Sequence, residues 1–286
     1  MQYEAPATID AAVGLLSKAQ GLARVLAGGT DLLVQLKSGT LEPDLVIDIK
    51  RIPEMTKLVA ENGGFRIGAA VPCAVLGENA AVRKLWPGVV EAANLIGSTQ
   101  IQGRATVVGN LCNASPAADS VPAMMAANAI ATVAGPNGKR EVPVGDIATA
   151  PGKTSLAKGE IVTSVFLPSR PAHSGDAYLR FIPRTEMDIA VVGVGVSLTL
   201  GDDGVCKAAR VALGAVAARA LLAEDAAKAI VGTKLDEKAL AKLAEAASAA
   251  CRPIDDKRGT KEFRIKVAGV LARRAAEKAL ERARGK

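Results

Sequence analysis

Apolar positions along the chain change period several times, and each change marks an element. Ala11 to Ala19 carries apolar residues at helical spacing, with Thr8 or Asp10 placed to cap the start. Arg24-Val25-Leu26-Ala27 is a short, mostly apolar run that reads as a buried strand and breaks at Gly28-Gly29. Thr30 or Asp31 then offers a cap for a second helix through Leu32, Leu33 and Leu36, ended by Gly39. Leu45-Val46-Ile47-Asp48-Ile49 returns as a strand, so the opening is helix, strand, glycine turn, helix, strand.

Two strand-like runs between Met55 and Ala70 flank Asn62-Gly63-Gly64, whose tolerance of positive φ predicts a hairpin. Short helices are predicted around Cys73 to Asn79 and Gly88 to Leu95. Gly103 to Ser120 is rich in small and polar residues and reads as a loop region punctuated by Val107, Val108 and Leu111. Strand patterns follow at Ile130 to Ala134, Ile161 to Leu167, Ala177 to Ile182, Ile189 to Leu200 and Val205 to Leu213. Helical patterns close the chain at Leu221 to Val231, Lys238 to Ala250 and Phe263 to Arg282. Pro168 to Gly175 is the best boundary between domains, giving units of residues 1–175, with sub-parts of about 1–54 and 55–175, and 176–286.

Composition narrows what such a chain does. Hydrophobic residues make up 49% of it but aromatics only 2%, so the core is built from Ala, Val, Leu and Ile and little surface is left for stacking nucleic-acid bases. The net charge of +7 arises from acids and bases that alternate, and the basic stretch Arg273 to Arg284 reads as the solvated face of a helix rather than a nucleic-acid contact. Four cysteines, Cys73, Cys112, Cys206 and Cys251, stand far apart without a C-x-x-C pair, which argues against zinc or an iron–sulfur cluster in this chain and fits reduced thiols. The single histidine, His173, reads as an exposed loop residue, not a catalytic base. The start of the chain has no basic region followed by an apolar stretch, and the longest apolar run is too short to span a bilayer; a cytoplasmic, unexported protein with no transmembrane segment is expected.

Two nucleotide patterns fail on inspection. Pro151-Gly152-Lys153-Thr154 mimics the end of a P-loop, but Ile147 stands where the first glycine belongs, so a plain loop is expected. Gly193-x-Gly195-x-x-Leu198 lies inside a strand pattern with no helix after it, which does not support a Rossmann site. Ala27-Gly28-Gly29-Thr30-Asp31-Leu32 is more informative, because glycines between a strand and a helix let main-chain amides and the helix start approach an anion. A tight strand-to-helix turn would look the same. Thr106-Val107-Val108-Gly109-Asn110 forms a second such loop, and the pair suits the two phosphates of a dinucleotide. Asp119 suits ribose hydroxyls, or equally the cap of a helix over Ser120 to Asn128.

These stretches, with Ala114-Ser115-Pro116-Ala117-Ala118-Asp119, Glu160-Ile161-Val162, Arg184-Thr185-Glu186-Met187-Asp188-Ile189-Ala190, Gly259-Thr260-Lys261-Glu262-Phe263-Arg264 and Leu271-Ala272-Arg273-Arg274-Ala275, occur in the order seen in one family. The chain resembles, over nearly its whole length, the FAD-binding subunits and domains of the molybdenum hydroxylases, carbon monoxide dehydrogenase and xanthine dehydrogenase among them. The resemblance implies an α+β fold: a two-part FAD-binding domain, with a small α/β part and a larger α+β part, followed by a C-terminal domain of antiparallel strands and helices.

It further implies that Val25, Leu26, Ala27, Gly28, Gly29, Thr30, Asp31 and Leu32 wrap the FAD pyrophosphate and that Thr106, Val107, Val108, Gly109 and Asn110 supply the second cradle. Asp119 takes the adenosine-side ribose, Ile96 lies beside the flavin and Val162 near the adenine. Arg180 stands at a lysine position near the flavin ring, where it would stabilise negative charge on the reduced ring. Tyr178 lies over the isoalloxazine or in the core. The implied activity is electron transfer from 2Fe–2S clusters of a small partner subunit, through FAD, to an external acceptor, with the molybdenum cofactor in a large subunit. No catalytic side chain and no metal ligand are expected here. The sequence departs from many relatives in reading Val108-Gly109 for Gly-Gly, and it lacks the clustered cysteines of the 4-hydroxybenzoyl-CoA reductase branch. A stand-alone FAD oxidoreductase, or a scaffold subunit that has lost FAD, are the alternatives.

Overall fold

The computed structural model describes residues 1–285. The opening forms β1 (Gln2–Glu4), α1 (Ile9–Lys18), β2 (Ala23–Leu26), α2 (Leu32–Lys37) and β3 (Leu45–Asp48), with the strands in a parallel sheet of order β1-β3-β2. Thr8, not Asp10, caps α1 by accepting from the Ala11 N–H at 3.2 Å. β3 is central and buried at every position, which is why its apolar residues run on without alternation. Neither Thr30 nor Asp31 caps α2 through its side chain: Asp31 holds the cap position in a helical conformation with no such bond.

The second part contains β4 (Leu58–Glu61) and β5 (Gly64–Gly68), joined by Asn62 and Gly63 at φ of 49° and 73°, the double left-handed geometry a two-residue hairpin requires. Six short helices follow: α3 (Cys73–Glu78), α4 (Ala80–Leu85), α5 (Pro87–Ala93), α6 (Thr99–Gln102), α7 (Val107–Cys112) and α8 (Ser120–Ala126). α4 escaped the sequence reading because Asn79, taken as the end of a helix, caps the next one by accepting from the Ala81 and Val82 amides. β6 (Ile130–Gly135), β7 (Gly138–Pro143), the small hairpin β8 (Ala148–Ala150) and β9 (Lys153–Thr154), and β10 (Ile161–Leu167) complete this part. The antiparallel sheet runs β4-β5-β10-β6-β7 and places apolar β10 at its centre. β7 is an exposed edge with only Val142 buried, too polar a pattern to announce a strand.

The C-terminal part is an antiparallel sheet of β11 (Ser174–Phe181), β12 (Val192–Leu200), β13 (Cys206–Gly214) and β14 (Leu221–Leu222), then α9 (Glu224–Ile230), α10 (Glu237–Ala250) and α11 (Lys261–Ala283). β11 begins inside the stretch read as a linker. Ala268, Ala272, Ala275, Ala276 and Ala279 form the buried stripe of α11, so the helix lies close to the sheet; a Cβ at Gly175 would strike the Ala279 carbonyl. The other face of the sheet packs on α8, where Gly195 and Gly214 make room for Pro122. The whole is the α+β arrangement expected.

Charged side chains seal the seam between the two halves. Glu91 of α5 accepts from Lys278 and Arg282 of α11, each at 2.5 Å, and from the Tyr178 N–H at 3.1 Å. Asp176 of β11 accepts from Arg170 at 2.7 Å and from the Gly88 N–H at 2.8 Å, while Arg170 stacks over the Trp86 ring at 4.9 Å. The basic stretch of α11 is therefore not simply a solvated face: Lys278 and Arg282 are committed to Glu91, and Arg273 pairs with Glu237 and Glu277.

Candidate cofactor cleft

The carboxyl ends of β2 and β3 lie side by side, with Leu26 paired to Asp48 and the Ile49 N–H bonded to the Leu26 carbonyl at 3.1 Å. Crevices at this end of parallel strands are where α/β sheets bind ligands. The chain leaves β2 through Ala27-Gly28-Gly29, and the first backbone bond of the next helix runs from the Leu33 N–H to the Gly29 carbonyl at 2.9 Å. The amides from Gly28 to Leu32 thus precede the helical ladder. Gly29 sits at φ +78°, a conformation only glycine adopts without strain.

The second stretch is not the loop expected but the start of α7. Thr106 caps it, its hydroxyl accepting from the Gly109 N–H at 2.8 Å and its carbonyl from the Asn110 N–H at 2.9 Å. That leaves the Val107 and Val108 amides ahead of the first helical bond. α2 and α7 have only six residues each, so individual amides rather than a summed dipole carry their affinity for anions. A Cβ built on Gly28 would strike the carbonyl of Arg104 and reach within 3.0 Å of the Ala105 Cα. The glycine turn therefore lies against the two residues that lead into the second stretch, and position 28 has no room for a side chain.

Between them opens a cavity of about 720 Å³, within the usual range of small-molecule and cofactor sites. Of the residues expected at a cofactor, Val25, Ala27, Gly28, Gly29, Thr30, Asp31, Leu32, Ile96, Thr106, Val108, Gly109, Asn110 and Val162 line it. The Val108 side chain is itself packed away, 3% exposed. Desolvation at the wall pushes the Asp31 carboxyl above its ordinary range. Leu26 and Val107 are turned into the core instead.

Asp119, Tyr178 and Arg180 do not line the cavity. Asp119 accepts from the Tyr178 hydroxyl at 2.8 Å and from Arg180 at 2.7 Å, and the three form one buried cluster. Burial pushes the Asp119 carboxyl up, against the pull of Arg180 and Tyr178, and raises the Tyr178 phenol strongly. Tyr178 is a core residue, 2% exposed, which is one of the two placements expected for it; Asp119 has both oxygens engaged and, contrary to the cap reading, forms no helix cap through its side chain; the Arg180 charge is paired with Asp119.

The cavity also recruits residues that the sequence reading passed over, notably Gln35, Cys112, Asn113, Gly152, Thr154 and Lys158. Gly152, set aside with the P-loop mimic, turns the β8–β9 hairpin at φ +69° and donates its N–H to the Ala114 carbonyl at 3.0 Å; the glycine itself was the available signal. Burial pushes the Cys112 thiol up to about 12, so it is protonated at neutral pH. Among the described residues, no group of three or more His, Cys, Asp or Glu is placed to hold a metal, and no helix is long and apolar enough to cross a membrane.

A parallel strand–helix–strand opening with a glycine turn, met across one cleft by a second amide-bearing turn, defines a dinucleotide-binding protein. Comparison with known proteins names the class. Residues 1–170 match the family model described as the FAD binding domain in molybdopterin dehydrogenase, and residues 177–279 match the CO dehydrogenase flavoprotein C-terminal domain. The chain is 35% identical to the carbon monoxide dehydrogenase medium chain of Afipia carboxidovorans, over 99% of this chain and 97% of that one. It is 31% identical to the putative xanthine dehydrogenase FAD-binding subunit of Escherichia coli K12, over 99% and 97%. Reconstituted CO dehydrogenase from Oligotropha carboxidovorans matches with a TM-score of 0.94 and 34% identity, covering 99% of this chain and 98% of that one. The chain belongs to the family of FAD-binding subunits of carbon monoxide dehydrogenase- and xanthine dehydrogenase-like molybdenum hydroxylases, and is an oxidoreductase subunit.

Proposed function

We propose that this chain holds FAD along the cleft and conducts electrons from 2Fe–2S clusters of a small partner subunit to an external acceptor, while substrate is oxidised at a molybdenum cofactor in a large subunit. In this reading residues 1–175 carry the cofactor and residues 176–286 brace it. The amides of Gly28 to Leu32 and of Val108 take the diphosphate, and Ile96 and Val162 supply apolar walls. Bound FAD supplies the capacity to take electrons singly or in pairs and release them to an acceptor. The chain's own part is to bind, orient and shield it. Asp119, Tyr178 and Arg180 act from behind the cleft by fixing the start of α8 against β11.

One observation carries the reading: Gly28 lies against the Arg104–Ala105 backbone that leads into α7, so two amide-bearing turns line one cavity of about 720 Å³. The purified chain is expected to be yellow and to release FAD on denaturation. A colourless protein that cannot be reconstituted overturns the proposal. A tagged chain drawn from its native cells is expected to bring two companion subunits with molybdenum and iron; a solitary chain free of both metals overturns the heteromeric part alone.

A further inference from the structure

One more group reaches the glycine turn from behind. Lys50, two residues past β3, extends its ammonium to the Ala27 carbonyl at 3.1 Å and to the Asp48 carboxylate at 2.8 Å. Asp48 is 7% exposed and also accepts from the Lys50 N–H at 3.0 Å and from the hydroxyl of Tyr3 on β1 at 2.7 Å. Burial pushes the Asp48 carboxyl up, but Lys50 and Tyr3 outweigh it and hold the group below its ordinary range, so it stays ionised under Lys50. The chain of contacts crosses the whole edge of the parallel sheet: Tyr3 from β1, Asp48 from β3, and Ala27 just beyond β2.

The consequence follows from peptide geometry. No peptide bond in the described chain is cis, and in a trans peptide the carbonyl and the N–H lie in one plane and point in opposite directions. Drawing the Ala27 carbonyl toward Lys50 turns the Gly28 N–H away from Lys50. Gly28 forms part of the cavity wall and Lys50 does not. Residue 28, a glycine, has no Cβ of its own to hold that peptide in one orientation. We propose that Lys50, held by Asp48 and Tyr3, is a positioning residue that keeps the Ala27–Gly28 peptide turned so that its N–H serves the diphosphate of the bound dinucleotide. The proposal rests on the FAD reading above.

Flavin-free wild type, Lys50→Met, Lys50→Arg and Tyr3→Phe are compared by FAD fluorescence quenching, by ADP competition as a diphosphate probe without flavin, and by thermal melting. Lys50→Met is expected to weaken both FAD and ADP by about tenfold, the scale of one charge-assisted hydrogen bond. Lys50→Arg restores most of the affinity, and melting of the flavin-free protein shows that each variant is folded at the temperature of the titrations. An unchanged FAD Kd in Lys50→Met overturns the proposal, as does a loss for FAD with none for ADP. Should Lys50→Met fail to fold, Tyr3→Phe on the exposed edge strand carries the test: a parallel loss of about two- to threefold for both ligands supports it, and no loss overturns it. Wild type that binds no FAD at all overturns the flavin reading and this role together, an outcome distinct from the others.

Discussion

The cofactor cleft and the seam between the two halves both manage charge, but with different material. The cleft offers main-chain amides at Gly28, Gly29 and Val108, and Lys50, a cation that reaches the glycine turn, stands behind its wall. The seam packs ionised side chains directly: Glu91 and Asp176 against Arg170, Lys278 and Arg282. Any substitution short of proline leaves the amide in place, so the cleft is vulnerable chiefly to an added Cβ. The seam is vulnerable to loss of a single charge or a change of pH.

The largest effect is expected at the cleft. Gly28→Val drives a branched side chain into the Arg104 carbonyl, and the turns must separate; a loss of bound flavin together with about 3 kcal/mol of stability is expected, read from the flavin-to-protein absorbance ratio and from denaturant melts. A variant that keeps its flavin and its stability would show that Gly28 does not lie against Arg104 as described.

At the seam the signature is pH. Burial raises the Asp176 carboxyl from 3.8 to about 6, against Arg170 and the Gly88 N–H. Because the folded value lies above the unfolded one, the contribution is fully present below pH 3.8 and is lost as pH rises through about 6. At roughly 1.4 kcal/mol per pH unit this is a swing of at most about 3 kcal/mol. The stability of the wild type relative to Asp176→Asn is expected to fall between pH 4 and pH 7; a constant difference would mean the carboxyl is not raised.

The smallest effect is expected from Glu91→Gln, about 2 kcal/mol, since Glu91 is partly solvated and a fully buried pair loses roughly 3–5 kcal/mol when broken. Here the sign reverses. Burial pushes the Glu91 carboxyl up, but Arg282, Lys278 and the Tyr178 N–H hold it below its ordinary 4.5, so its contribution is present above that value and lost as pH falls below it. Flavin content is expected to stay unchanged. Melts at pH 7 and at pH values descending below 4.5 check both statements: the gap between variant and wild type should narrow as the pH falls.

The same division explains what could be read in advance. β2, the Gly28-Gly29 break, α2 and β3 were legible because each depends on residues within a few positions of one another. The Thr106 to Asn110 stretch was misread as a loop, since a Thr106 hydroxyl accepting from the Gly109 N–H hides among small residues that also suit a loop. Asp119, Tyr178 and Arg180 were each read alone, and nothing local announces that they bind one another across separations of 59 and 61 residues. Lys278 and Arg282, read as solvated, meet Glu91 from 187 and 191 residues away.

The amino-acid order alone determined where the chain turns, which runs are apolar enough to be central strands, and that two glycine-bearing stretches exist to be joined. Tertiary structure decided that those stretches line one cavity, which carboxylates are already matched by cations, and which lysine stands behind the turn. Turn and strand preferences act through neighbouring φ and ψ angles and so are written locally. Charge matching acts through space, between side chains that only the packed sheets and helices bring within 3 Å.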